Sequence, residues 1–208
     1  MVGDGILGVI KGATVIVENG LISQISPNVP SGVDAEIDCS GKTLLPGFVD
    51  SHSHLIFAGD RAEEFSARSR GGTYTAGGIS STVAATRAAT DEALIQNAQR
   101  LLDEALATGT TTIEIKTGYG LSERDELRSL EIAQKFTDET TLLAAHFIPD
   151  EFKSNPDAYV DLIINSIIPS STSKWVDVFC DQGAFNPEQT EAILRAGIAH
   201  GALPRIHA

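Results

Sequence analysis

The residues with the most chemistry to offer are His52 and His54, separated by the small Ser53 at the end of the run Leu44-Leu45-Pro46-Gly47-Phe48-Val49-Asp50-Ser51. In a β-strand, residues i and i+2 face the same side, so both imidazoles are expected to point into one site at the strand end. Two neighbouring neutral imidazoles suit a divalent metal that accepts nitrogen ligands. The plainer alternative is a pair of polar residues at a strand terminus. Pro46-Gly47 before the motif and the glycine-bearing loop Ala58-Gly59-Asp60 after it favour the metal.

Positioning such a pair requires a sheet, and from residue 46 the chain has the rhythm of one. Residues 79–89 and 91–108 read as helices; in the second, Leu94, Ala98, Leu101, Leu102, Ala105 and Leu106 recur at helical spacing and Gly109 stops it. Thr110 to Lys116, Thr141 to Phe147 and Trp175 to Cys180 read as strands, and Leu203 to His207 begins another. Ser122-Glu123-Arg124-Asp125 opens a helix to about residue 136, a near capping box with Asp in place of Glu or Gln. Asn155-Pro156 and Asn186-Pro187 each set a capping Asn before Pro at the first helical position. Strands alternating with helices predict a parallel sheet wrapped by helices, with apolar side chains on both faces of the buried strands.

His52, His54, Lys116, Tyr119, His146, Asp181 and His207 fall at or just beyond the C-terminal ends of these strands. That is the face on which a (β/α)-barrel builds its site, whereas an open doubly wound sheet would carry a Gly-rich phosphate loop after its first strand. Gly71-Gly72 and Gly77-Gly78 read as loop glycines instead. Ahead of the barrel, residues 6–10, 14–18, 21–25, 34–39 and 43–45 read as short strands, with Asn19-Gly20 as a hairpin turn. The expected division is a small antiparallel lobe over residues 1–45 and a barrel portion over 46–208.

Composition narrows the partners. The chain has 208 residues, 42% of them hydrophobic, enough for one core with a small appendage. Fifteen Lys and Arg against 28 Asp and Glu give a net charge of -13 and no basic cluster, which argues against nucleic acid and anionic membrane as partners. Cys39 and Cys180 lie far apart and read as reduced buried thiols. No apolar stretch approaches the ~18 residues of a membrane span and no secretory leader is evident, so the cytoplasm is the expected location.

These residues carry a resemblance. Pro46-Gly47-Phe48-Val49-Asp50-Ser51-His52-Ser53-His54 resembles the first-strand metal motif of the amidohydrolase superfamily, and the preceding lobe resembles the small β-sandwich those enzymes carry. The stretches 54–65, 116–121, 145–149, 176–180 and 206–208 are similar, in the same order, to the imidazolonepropionase family within it. The resemblance implies a metal-dependent (β/α)8 barrel that hydrolyses the imidazolone ring of 4-imidazolone-5-propanoate to N-formimidoyl-L-glutamate in histidine degradation. It implies His52, His54 and His207 as ligands of one zinc or iron ion. It implies Arg61 as the fork for the substrate carboxylate, Tyr119 and His146 as substrate contacts, and Tyr74 as a further pocket tyrosine. His146 is also the candidate catalytic residue. Lys116 reads as structural or supporting, and His200 as a helix-surface residue.

Without the resemblance, Arg61 reads as a surface salt-bridge residue, Tyr119 as an amphipathic loop residue and His146 as a core histidine. A closed barrel needs about 250 residues, and residues 46–208 supply five strand–helix units. The family's later acidic residue, a further histidine and the eighth-strand aspartate that handles protons therefore find no counterpart, and the remaining general acid–base group is expected beyond the C-terminus. Two alternatives stay open: another cyclic amidase or aromatic deaminase of the superfamily, and an inactive fragment. A small-molecule substrate is expected, and a homodimer is compatible with the reading.

Overall fold

In the computed structural model, which describes residues 5–60, 62, 66, 69–71 and 77–208, the chain divides into two units, Met1–Leu45 and Pro46–Ala208. In the first, β1 (Thr14–Glu18) and β2 (Leu21–Ser26) pair antiparallel across Asn19-Gly20. Both turn residues have positive φ, 53° and 77°, which a tight hairpin of this twist demands and Asn-Gly supplies with least strain. Residues 34–39 and 43–45 do not form the strands their composition predicts, and residues 6–10 contribute a single bridge at Val9. Extended residues become a strand only by hydrogen bonding to a neighbour. Of the expected β-sandwich, the described residues form this one two-stranded sheet. Both cysteines are free thiols, but neither is fully buried: Cys39, on an unpaired segment, is exposed and Cys180 is half-buried.

The second unit holds a five-stranded parallel sheet of β3 (Phe48–Ser53), β4 (Thr110–Lys116), β5 (Thr140–Ala145), β6 (Trp175–Phe179) and β7 (Leu203–His207), hydrogen-bonded in chain order. Unreversed order with right-handed crossovers puts the connecting helices on one side, whereas a doubly wound sheet reverses its order at a switch point. The sheet is also curled. Laid flat, β3 and β7 would be about 19 Å apart, yet the rings of His52 and His207 on those strands have centroids 4.7 Å apart. This is the curled sheet of a partial (β/α)-barrel.

From Gly77 onward the α-helices are α1 (Gly77–Ala88), α2 (Asp91–Ala107), α3 (Glu123–Ala133), α4 (Pro156–Leu162) and α5 (Pro187–Ala199). α4 runs on through a π-helical turn, Ile163–Ile167, to Ser170. Ser122 caps α3 by accepting from the Asp125 amide (3.2 Å), and its hydroxyl donates to the Asp125 carboxylate (2.8 Å). Asn186 and Gln189 form a reciprocal capping box on α5, whereas Asn155 makes no side-chain cap and Pro156 opens α4 without it. No described helix is long and apolar enough to cross a membrane.

Strand alternation sorts the sheet into two unlike faces. Leu142, Ala144, Val176 and Val178 pack with Tyr159, Ile163, Ile167, Phe185 and Ile193 in the helical layer. Ile115 joins Leu94, Ala98 and Ile132 in a second cluster. The intervening residues Glu114, Lys116, Thr141 and Asp177 are just as buried. They face the other side together with Leu143, Trp175 and Phe179, so the inner face is a mixed polar and apolar one rather than the apolar one expected.

Candidate functional site

Side chains at the C-terminal ends of β3, β4, β6 and β7 meet inside the curl. Ligand atoms of His52, Asp177 and His207 all lie within 4.8 Å of one another, a set that could hold a metal ion. β6 and β7 pair with Asp177 opposite Arg205 and Phe179 opposite His207. That register sets Nδ1 of His207 3.1 Å and 3.2 Å from the two Asp177 oxygens and stacks its ring on Phe179 at 5.0 Å.

His54 falls in a different group. The β3–β4 register slips between Asp50 and Ser53, and His54 lies just past the end of β3. Simple i, i+2 alternation therefore no longer governs its ring. The ring sits 5.6 Å from that of His52 but stacks on His146 at 4.8 Å, with Tyr119 edge-on to both at 5.2 Å and 5.3 Å. Its Nδ1 is buried without a hydrogen-bond partner. The site thus has a donor half, His52, Asp177 and His207, and a ring half, His54, Tyr119 and His146. Arg61 and Tyr74 lie outside the described residues. Asp181 is exposed, its carboxylate occupied by the Gln182 amide at 2.7 Å, and His200 is exposed at the end of α5.

The electrostatics favour neutral imidazoles, the form that binds metals. Burial, with the charges of Lys116 and His207, lowers the pKa of His52. Burial and the neighbouring His146 and His52 hold His54 well below the usual imidazole range. Burial lowers His146 as well, against a backbone hydrogen bond with Gly118.

Beneath the histidines lies an ionic ladder across four strands. Lys116 Nζ donates to Asp177 (2.7 Å) and to Glu114 (2.8 Å), and the three side chains are only 3%, 2% and 4% exposed. Charges this buried persist only when paired. Glu114 also accepts from Thr141 and pairs with Arg205. Arg205 in turn bonds the Thr141 hydroxyl at 2.8 Å and stacks 3.8 Å over Trp175. Lys116 is therefore a supporting residue with two carboxylate partners, of which Asp177 belongs to the donor half. Asp177, Glu114 and Arg205 escaped the reading by motif. The available signal was charge alternating with β-branched residues, Ile113-Glu114-Ile115-Lys116 and Val176-Asp177-Val178, inside strands otherwise read as buried.

Comparison with known proteins places these residues in context. Residues 35–92, which include the His52-Ser53-His54 motif, match the model of the Amidohydrolase family. The chain is 52% identical to an imidazolonepropionase of Nocardia farcinica, over 99% of this chain and 53% of that protein. It is 51% identical to one of Salinispora arenicola, over 99% and 53%, and 50% identical to one of Mycolicibacterium smegmatis, over 98% and 52%. The chain spans about half the length of the curated relatives it matches.

Proposed function

This chain is a sequence relative of the imidazolonepropionases and of the wider amidohydrolase family, and on that premise we propose that it serves the hydrolytic opening of 4-imidazolone-5-propanoate to N-formimidoyl-L-glutamate. The observation that carries the reading is the meeting of His52, Asp177 and His207 beside the rings of His54, Tyr119 and His146. The residues suit a metal: neutral imidazoles, a carboxylate among their nitrogens, and a buried His54 Nδ1 without a partner. Bound there, a zinc or iron ion supplies a Lewis acid that polarises the ring carbonyl and brings the pKa of a water toward ~7.

The side chains have separable tasks. A carboxylate accepts, so His207 donates Nδ1–H to Asp177, which would leave Nε2 to hold an ion, an arrangement typical of supported metal ligands. His52 and His54 complete the histidine set in this reading. The Gly118 carbonyl likewise accepts from His146 Nδ1 at 2.9 Å, which leaves Nε2 of His146 with a lone pair able to take a proton from the reacting water. Tyr119 packs against the substrate ring. On the sequence resemblance, Arg61 is assigned to the propanoate carboxylate, which its planar fork suits, and Tyr74 is a further substrate residue. The setting is cytoplasmic, with a small-molecule substrate and a homodimer as the compatible assembly.

Elemental analysis of the purified protein and of His52→Ala tests the reading. About one equivalent of zinc or iron is expected in the first, and most of it lost in the second, with formimidoylglutamate production lost in parallel. Unchanged metal content in His52→Ala would remove the central assignment.

A further inference from the structure

The loop after β4 is held far more tightly than a connection needs, and its bonds converge on one side chain. Oε1 of Glu126, on α3 and fully buried, accepts from the backbone amides of Gly118 (3.2 Å), Gly120 (2.8 Å) and Leu121 (2.8 Å). The opposite edge is held by Arg87 of α1, which donates to the carbonyls of Gly120 (2.6 Å) and Leu121 (2.8 Å) and pairs with Glu151 (2.8 Å). A Cβ on Gly120 would fall 2.4 Å from the Asp125 carbonyl carbon and 2.5 Å from the Glu126 nitrogen, so loop and helix are in backbone contact. Leu121 is buried with φ 47°, a conformation that the surroundings must enforce on a non-glycine residue.

This loop carries two parts of the ring half. Tyr119 rides on it, and the Gly118 carbonyl meets His146 Nδ1 at 2.9 Å. At Gly118, φ is +117° and a Cβ would lie 2.8 Å from that nitrogen, so only glycine lets the carbonyl approach in this way. Because a carbonyl accepts and never donates, its placement decides that the neutral His146 ring carries its proton on Nδ1.

We infer that Glu126 is a positioning residue: by gathering three loop amides on one buried oxygen it holds the Gly118 carbonyl against His146, selects the ring tautomer, and fixes Tyr119 beside it. The consequence for turnover rests on the function proposed above; the geometry does not.

Nitrogen-resolved NMR of the histidine rings in the holoenzyme tests it. Wild-type His146 is expected as the Nδ1–H tautomer, and an Nε2–H ring would overturn the inference directly. In Glu126→Leu the tautomers should mix, the amides of Gly118, Gly120 and Leu121 should exchange at least about tenfold faster, and kcat should fall roughly 100-fold with a smaller change in KM. Glu126→Gln keeps an acceptor oxygen and should restore the tautomer and the protection. A Glu126→Leu protein that merely melts earlier, with tautomer and kcat unchanged, would reduce Glu126 to a structural residue and end the proposal. If Glu126→Leu does not fold, Glu126→Asp, whose oxygens are withdrawn by one methylene, decides the same question through tautomer and exchange. A wild-type holoenzyme that shows the tautomer without opening imidazolone propanoate would sink the function and leave the positioning role standing.

Discussion

In the central strands β4, β5 and β6 the side chains of both faces are buried, and the two faces are built on opposite principles. Leu142, Ala144, Val176 and Val178 meet the helices with aliphatic surface. On the other face Glu114, Lys116, Asp177 and Arg205 form a chain of alternating charge. The helix-covered face gains from removing apolar area from water, is indifferent to exact orientation within its rotamers, and has no unpaired group to lose. The inner face carries large desolvation costs that are offset only while every partner is present, and in exchange it fixes Asp177 against His207. One face therefore supplies stability, while the other spends some of it on geometry.

The largest effect is expected from breaking the inner face. Lys116→Met leaves Glu114 and Asp177 buried without the cation between them, a loss of about 3 to 5 kcal/mol. Asp177 also loses the donor that holds it, so metal affinity should fall by roughly 10- to 100-fold. Urea unfolding and metal competition read the two effects separately, and a stable variant with normal affinity would show that the ladder neither needs Lys116 nor aims Asp177. Leu142→Ala sharpens the contrast from the helix side. Leu142 is 1% exposed in the aliphatic layer, so its truncation should cost about 2 to 5 kcal/mol through lost burial and a cavity. Metal affinity of the folded protein should not change. If it does, the two faces are coupled and the division of labour fails.

The same contrast explains what the sequence disclosed. Period-two aliphatic residues, Gly109 after α2, and caps at Ser122 and Asn186 are local signals, and they place the strands and helices of the second unit. The first unit was less legible, because residues 34–39 are extended in composition but pairing depends on a neighbour that composition does not specify. At the site, His52 and His207 could be brought together by counting strands. The separation of His54 into the ring half could not, since it depends on a register slip between Asp50 and Ser53. Lys116 reads as supporting from the sequence, but its partners are 2 residues and 61 residues away, and only the second requires the fold.

Glu126 provides the finest test of the comparison, because it is a buried carboxylate outside the ladder whose oxygen is met by amides rather than by a lysine or arginine. Burial raises its pKa above the ordinary value of 4.5, and the Thr117 side chain and the amides of Leu121, Gly120 and Gly118 only partly oppose this. A group whose folded pKa lies above its unfolded value contributes stability that is fully present below the unfolded pKa and is lost as pH rises through the folded one. Glutamine does not titrate, and every other ionisable group is common to wild type and Glu126→Gln. The difference in unfolding free energy between the two proteins therefore isolates Glu126. Wild type should compare best with Glu126→Gln below pH 4.5 and lose ground as the pH is raised toward neutrality, a smaller effect than either substitution above. Urea titrations of both proteins across that range measure it. A difference that stays flat would mean that the Thr117 side chain and the three amides match desolvation, and one that moves in favour of wild type at higher pH would mean that they outweigh it. An unpaired carboxylate on this side of the molecule would then be as well compensated as the paired ones on the inner face.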